Sequence, residues 1–253
     1  MTTRRTPLVL TALASTTLLL AACTGTTDAS GGSPSATAPA PAATAAPTTP
    51  VPPATPAGCT GPGGGTPAGA TTVATIDLDG DGTCDTLWIT GADADRTLGV
   101  TTAAGATLSV PVDLAGPAGA SAFALRPDPS GPALVLLSDN RVADLLAVQD
   151  CALVDVTDAD GAPWRFDLGF AGQGTGVGCL DLDGDGAEDL VGLHLVDDVV
   201  RRTAIDLTGT VAAAGTEDQV DAGPEGSAAR ETAHAITCGD RTLAADGVHE
   251  PAA

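Results

Sequence analysis

Two stretches decide how this chain is read: Asp77-Leu-Asp-Gly-Asp-Gly-Thr-Cys-Asp85 and Asp181-Leu-Asp-Gly-Asp-Gly-Ala-Glu-Asp189. They agree at seven of nine positions and start 104 residues apart. Half that spacing, 52 residues, is the length of a supersecondary repeat. The midpoint carries Pro127-Asp-Pro-Ser-Gly-Pro-Ala-Leu-Val-Leu-Leu137, which keeps a Gly-centred turn and the apolar run behind it but only Asp128 among the carboxylates. It reads as a third copy whose metal site has been lost.

In each intact copy the carboxylates fall at loop positions 1, 3, 5 and 9: Asp77, Asp79, Asp81 and Asp85, then Asp181, Asp183, Asp185 and Asp189. The main-chain carbonyls of Thr83 and Ala187 stand at position 7. Glycines at positions 4 and 6 let the backbone fold tightly, so that the oxygens converge on one centre. A hard cation accepting six to eight oxygens at about 2.3 to 2.6 Å matches this set, whereas Mg²⁺ demands a stricter octahedron. The expected cofactor is Ca²⁺, one ion per loop and two in all. A metal-free acidic turn is the competing reading, but each pair of carboxylates at 4 Å repels by about 1 kcal/mol even at water's dielectric constant. An EF-hand or dockerin would need an acid at position 12 and flanking helices; position 12 is Trp88 in one copy and Gly192 in the other.

The flanks are strand-like. Thr72 to Ile76 and Thr86 to Thr90 border the first copy, Ala122 to Leu125 and Leu134 to Leu137 the second, and Val177 to Leu180 and Leu190 to Val196 the third. A hairpin follows each: Leu98 to Thr102 with Thr107 to Val112; Cys151 to Val156 with Trp164 to Leu168 about Asp160-Gly161; and Thr203 to Leu207 with Thr210 to Ala213. Asp-Gly between apolar runs favours a hairpin because Gly tolerates positive φ. Four short strands per roughly 50 residues is the grammar of a propeller blade. A fourth unit would combine His234 to Cys238 and Arg241 to Ala245 with strands from either end. The Asp loops and their strand flanks resemble the calcium loops of FG-GAP or VCBS repeats, the family that includes the integrin α propeller. That resemblance implies a loop joining adjacent strands of a blade. The expected fold is all-β, a small propeller-like repeat domain of about four blades, with another all-β arrangement of the same hairpins as the alternative.

Ahead of the repeats lies an address and a tether. Residues 1–22 read as an export signal, with Arg4 and Arg5 ahead of the apolar Leu8 to Leu20. The arginine pair suits either a Sec or a twin-arginine signal. Leu20-Ala-Ala-Cys23 resembles a bacterial lipobox, which implies a lipidated Cys23 and a membrane attachment. From Thr24 to Ala57 every residue except Asp28 and Val51 is Thr, Ala, Pro, Ser or Gly, a composition with almost nothing to bury and expected to remain an extended tether. The expected organisation is a signal peptide at 1–22, lipidated Cys and tether at 23–57, and a calcium-binding β-repeat domain at 58–253. The implied location is the outer face of the cytoplasmic membrane. The absence of Lys amid so much Ala, Gly and Pro fits a high-GC Gram-positive bacterium.

The 253 residues carry 32 acids, 10 Arg and no Lys, for a formal charge of -22. Such a surface cannot neutralise a phosphate backbone, which excludes ordinary nucleic-acid binding. It favours a cationic or neutral partner, an unknown surface protein or glycan. Outside Cys23 stand Cys59, Cys84, Cys151, Cys179 and Cys238. Export favours two bridges with one cysteine left over. The preferred pairing is Cys151 with Cys179, and Cys59 with either Cys84 or Cys238, the latter tying first strand to last. No C-x-x-C or His pair at zinc spacing occurs. His194, His234 and His249 fall in no triad, and Gly172-Gln-Gly-Thr-Gly176 precedes a strand rather than the helix of a P-loop. Phosphoryl transfer lacks cations here, and glycoside hydrolysis lacks sugar-stacking aromatics. Binding or adhesion is therefore the expected role, with a calcium-dependent hydrolase or a structural envelope component as the alternatives.

Overall fold

The computed structural model describes residues 58–61, 63–91, 95–114, 119–169 and 175–250. The expected export signal at 1–22, Cys23, the expected tether through Ala57, and Gly172 to Gly174 lie outside the described residues. The domain is all-β, built from several antiparallel sheets, none of which closes on itself. No helix among the described residues is long and apolar enough to cross a membrane.

Three sheets begin as four-stranded meanders. The first runs β1 (Thr71–Ala74), β2 (Thr86–Thr90), β3 (Thr97–Thr101) and β4 (Thr107–Pro111). The second runs β5 (Ser121–Leu125), β6 (Leu134–Ser138), β7 (Val142–Gln149) and β8 (Ala152–Asp155), with β9 (Arg165–Asp167) also on β7. The third runs β10 (Thr175–Leu180), β11 (Asp189–Val196), β12 (Val199–Thr208) and β13 (Val211–Asp221). Their first strands open at Thr71, Ser121 and Thr175, spacings of 50 and 54 residues, close to the 52 expected from the repeat. After helix α1 (Ala228–Thr232) comes a two-stranded ribbon, β14 (Thr237–Cys238) and β15 (Arg241–Thr242), then α2 (Leu243–Asp246) and β16 (Val248–His249).

The second sheet is the middle layer. Every residue of β5 and β6 is buried, because successive side chains of a strand point to opposite faces and both faces are covered. Ala122, Ala124, Val135 and Leu137 join a core with Leu87, Ile89, Leu98 and Val100 of the first sheet. Phe123, Leu125, Leu134 and Leu136 join a second core with Val177, Leu190 and Ile205 of the third. A smaller cluster on the far face of the third sheet packs Val191, Leu193 and Val200 with Ala222 and Ala233, which flank α1 in sequence. Ser227 caps that helix by accepting from Arg230 N–H, a common N-terminal device.

Several sequence expectations need correction. The turn at Asp160-Gly161 forms, with Gly161 at φ 83°, yet β8 and β9 do not make one continuous hairpin. Both lie along β7, which is eight residues long and offers separate edge segments to each, Leu146–Gln149 to β8 and Val142–Asp144 to β9. Thr157, between them, bridges Val211 of the third sheet in parallel. The last unit does not borrow strands as expected: Leu243 to Ala245 is a helical turn, and β16 pairs antiparallel with β5 of the middle sheet through Val248–Ala122 and His249–Ser121.

The disulfides also differ from the preferred pairing. Two bridges form, but they are Cys59–Cys151 and Cys179–Cys238, with Cα separations of 5.4 and 4.7 Å. Neither Cys151–Cys179 nor Cys59–Cys238 exists. The reason lies in β7: its turn into β8 carries Cys151 toward the first sheet, where β4 and β8 approach, while Cys179 on β10 meets Cys238 on the adjoining β14. Cys84 lies outside both bridges and is exposed.

Candidate metal centre

The two Asp loops occupy equivalent places, each joining the first strand of a meander to the second. They also fold by the same five hydrogen bonds. The position-1 carboxylate accepts from the amides of positions 4 and 6: Gly80 and Gly82 onto Asp77 at 2.7 and 2.8 Å, Gly184 and Gly186 onto Asp181 at 2.7 and 3.1 Å. Position 3 accepts from position 5, and position 5 from position 7: Asp81 N–H onto Asp79 and Thr83 N–H onto Asp81, Asp185 N–H onto Asp183 and Ala187 N–H onto Asp185. Position 9 accepts from position 2, Leu78 onto Asp85 at 2.7 Å and Leu182 onto Asp189 at 3.0 Å. The glycines make this possible: Gly80, Gly82, Gly184 and Gly186 have φ between 79° and 92°, a region that a Cβ disfavours.

These bonds aim carboxylates inward. Oxygens of Asp77, Asp79 and Asp85 lie within 4.8 Å of one another, as do those of Asp181, Asp183 and Asp185. Two ligands on opposite sides of a hard cation at about 2.3 to 2.6 Å would stand roughly 4.6 to 5.2 Å apart, so each triad could hold one metal ion. The donor chemistry fits as well, being oxygen only. Asp81 and Asp189, also expected as ligands, stand outside these triads and accept amides of their own loops. A third acidic group, Cys179, Glu188 and Cys238, is no thiolate site because its two sulfurs are joined.

The first loop is tied to its surroundings. Asp79 accepts Cys59 N–H at 2.7 Å, Asp85 accepts Ala103 N–H at 3.0 Å, and Arg126 donates to the Asp77 carbonyl at 2.9 Å. Gly58 lies so close that a Cβ there would fall 2.5 Å from Asp81 Cβ. Burial raises Asp79 above the ordinary carboxylate range, against the amides of Cys59 and Asp81, with Asp81 and Asp77 adding repulsion. Burial pushes Asp85, 2% exposed, up to about 6, only partly offset by the Leu78 and Ala103 amides. Asp181, Asp183 and Asp185 are exposed.

The midpoint turn, expected to be a degenerate copy, joins β5 to β6, the same position in its meander. Its Asp128 is engaged by the Ser130 amide and hydroxyl at 2.7 and 2.8 Å, which hold it below the usual carboxylate range. Nothing in the sequence marks the Cys59, Leu78 and Ala103 amides as the donors that orient the first loop. Position 2 carries the one available signal, a Leu identical in both intact copies: Leu78 is buried in the first core and Leu182 packs at the edge of the third. The histidines contribute to neither triad; His194 is an exposed residue of β11 opposite Arg201, and the His249 ring meets the Leu243 carbonyl at 3.0 Å.

Comparison of the chain with protein families, with curated proteins and with solved structures finds no match.

Proposed function

We propose that this chain is an exported lipoprotein whose residues 58–253 form a calcium-stabilised binding domain, held off the outer face of the membrane by the tether after Cys23. The observation that carries this reading is the pair of Asp loops, which share five hydrogen bonds and each bring three carboxylates within 4.8 Å. We read the three stacked meanders as blades of a small propeller and the ribbon β14–β15 as a reduced fourth, in keeping with the resemblance to FG-GAP and VCBS repeats. The stacking of sheets through two successive cores supports that reading.

Calcium here is structural. Extracellular modules bind it at about 10⁻⁴ to 10⁻³ M, and an ion at ten times its dissociation constant stabilises by about 1.4 kcal/mol per site. Two sites would raise the midpoint of a domain this size by roughly 5 to 10 °C. Two bound ions also leave the domain strongly acidic, which suits a neutral or cationic surface protein or glycan and disfavours nucleic acid. The test is thermal unfolding of the full chain in excess calcium and in chelator, with Asp79→Ala and Asp183→Ala beside the wild type. Each variant is expected to lose about half of the calcium-dependent gain, and a wild-type midpoint unmoved by chelator would sink the reading.

A further inference from the structure

The connections between first and second strands converge on an open cavity of about 400 Å³. Ile76, Leu125 and Pro129 give it apolar walls, and Arg126 and Arg241 line it as well. Arginines in so acidic a domain find carboxylates readily. Arg96 pairs with Glu250, Arg165 with Asp144, Arg202 with Asp218 and Arg230 with Asp198. Arg126 and Arg241 do not: among the described residues neither has a carboxylate at ion-pair distance.

Neutral acceptors hold them instead. Arg126 donates to the Asp77 carbonyl, and Arg241 donates to the Ala124 carbonyl at 3.0 Å and to Thr75 Oγ1 at 3.2 Å. The Arg241 guanidinium carbon also stands 5.2 Å from the centre of the Phe123 ring. These contacts fix the position of both cations without neutralising either. A guanidinium offers five N–H donors, so three bonds leave most of their capacity unspent. Arg201, likewise without a carboxylate partner, is exposed on β12 and lines no such cavity.

We propose that this cavity binds a small organic monocarboxylate with a compact apolar body. A planar carboxylate matches the guanidinium fork in bidentate fashion, and the apolar walls accept the rest of the molecule. The rim sets the charge limit: Glu188 and Asp77 line the same opening, so a second negative charge on the ligand would meet repulsion. Glu188 is exposed and outside ion-pair distance of both arginines, which makes it a competitor for them. The assignment rests on reading the domain as a binding module, but the arginines and walls stand without calcium.

Calorimetric titration of the full chain with benzoate, benzamide and inorganic phosphate, in calcium and again in chelator, tests it. Benzoate is expected to bind, with benzamide and phosphate about tenfold weaker or more, since each lacks the planar single charge. Arg126→Gln should weaken benzoate about tenfold, and Glu188→Gln should tighten it about threefold, a gain that misfolding cannot mimic. Arg201→Gln should leave it unchanged. Equal binding of benzoate and benzamide, phosphate as tight as benzoate, or indifference to both Arg126→Gln and Glu188→Gln overturns the proposal. Calcium-dependent stability without benzoate binding sinks the cavity alone, and benzoate binding without calcium-dependent stability sinks the metal reading alone.

Discussion

Residues 77–85 and 181–189 are two loops with nearly one sequence and one hydrogen-bond pattern, yet they live in different surroundings. The first has Gly58 and Cys59 laid against it, Ala103 donating into its last carboxylate and Arg126 on its first carbonyl. The second is wired to itself, with its first three carboxylates exposed. Its triad also uses a different third member, Asp185 where the first uses Asp85. Local sequence sets the shape of such a loop, and distant segments set its energetics. The first loop should therefore answer to changes far from it in sequence, and the second should not.

The largest way to break the contrast is to cut the bridge that anchors the clamp. The Cys59–Cys151 bridge spans 92 residues, for which the chain-entropy model gives about 4 to 5 kcal/mol. The Cys59→Ser, Cys151→Ser double variant should lose stability of that order in denaturant unfolding. On the proposed calcium reading it should also bind one ion fewer than the wild type, because the segment that brings the residue-59 N–H to Asp79 is no longer held by the bridge. A stability loss with unchanged stoichiometry would show that the first loop does not need its clamp.

Position 2 gives a smaller and more direct comparison. Leu78 is 2% exposed and packs in the first core, while Leu182 is only partly buried beside the third. Leu78→Ala is expected to cost about 3 to 4 kcal/mol and Leu182→Ala about 1 kcal/mol, read from denaturation midpoints in calcium. Equal losses would mean that the loops are anchored alike.

Acidity sharpens the contrast further. Burial pushes Asp85 up to about 6 from 3.8 for the free side chain, so the folded state prefers it protonated. That advantage is complete below the unfolded value and is lost as pH rises through about 6. In chelator, wild type should lose stability relative to Asp85→Asn between those limits, by about 2 to 3 kcal/mol. Calcium requires the carboxylate, so its stabilising effect at the first loop should grow over the same interval. A wild-type and Asp85→Asn difference that stays flat with pH would remove burial as the dominant influence on this group.

Much of the strand pattern was legible. Thr86 to Thr90 is a strand in full, and the flanks of all three turns pair, although the first strand ends at Ala74 rather than Ile76, since β-branched and aliphatic runs bounded by Gly and Asp carry a clear signal. Val142–Gln149 is a strand that the sequence pattern does not announce. It lies between β6 on one edge and β8 and β9 on the other, and its run Ala143, Leu145, Leu146, Ala147 buries residues without strict alternation, which erases the period-2 signal. The Cys59–Cys151 bridge depends on that strand, because β7 decides where Cys151 ends up. At the site, the closeness of Asp77 to Asp79 and of Asp181, Asp183 and Asp185 follows from loop spacing, whereas the exclusion of Asp81 and Asp189 from the triads does not, and the donors Cys59 and Ala103 come from segments brought to the loop only by the packing of the fold.

The pairing of β16 with β5 has a consequence for how the molecule is made. β5 begins at Ser121, and its outer edge is closed by Val248 and His249, with Glu250 bonding back to Ala120 and pairing with Arg96. A chain emerging from its N-terminus has the middle layer's other strands long before it has this one. Until the last turn arrives, that layer presents open N–H and C=O groups, a hazard for pairing with another chain. Contacts of such long sequence separation also slow folding. Val248 and His249 therefore act as a closing seam for the middle layer, whose β5 edge stays open until they have been made.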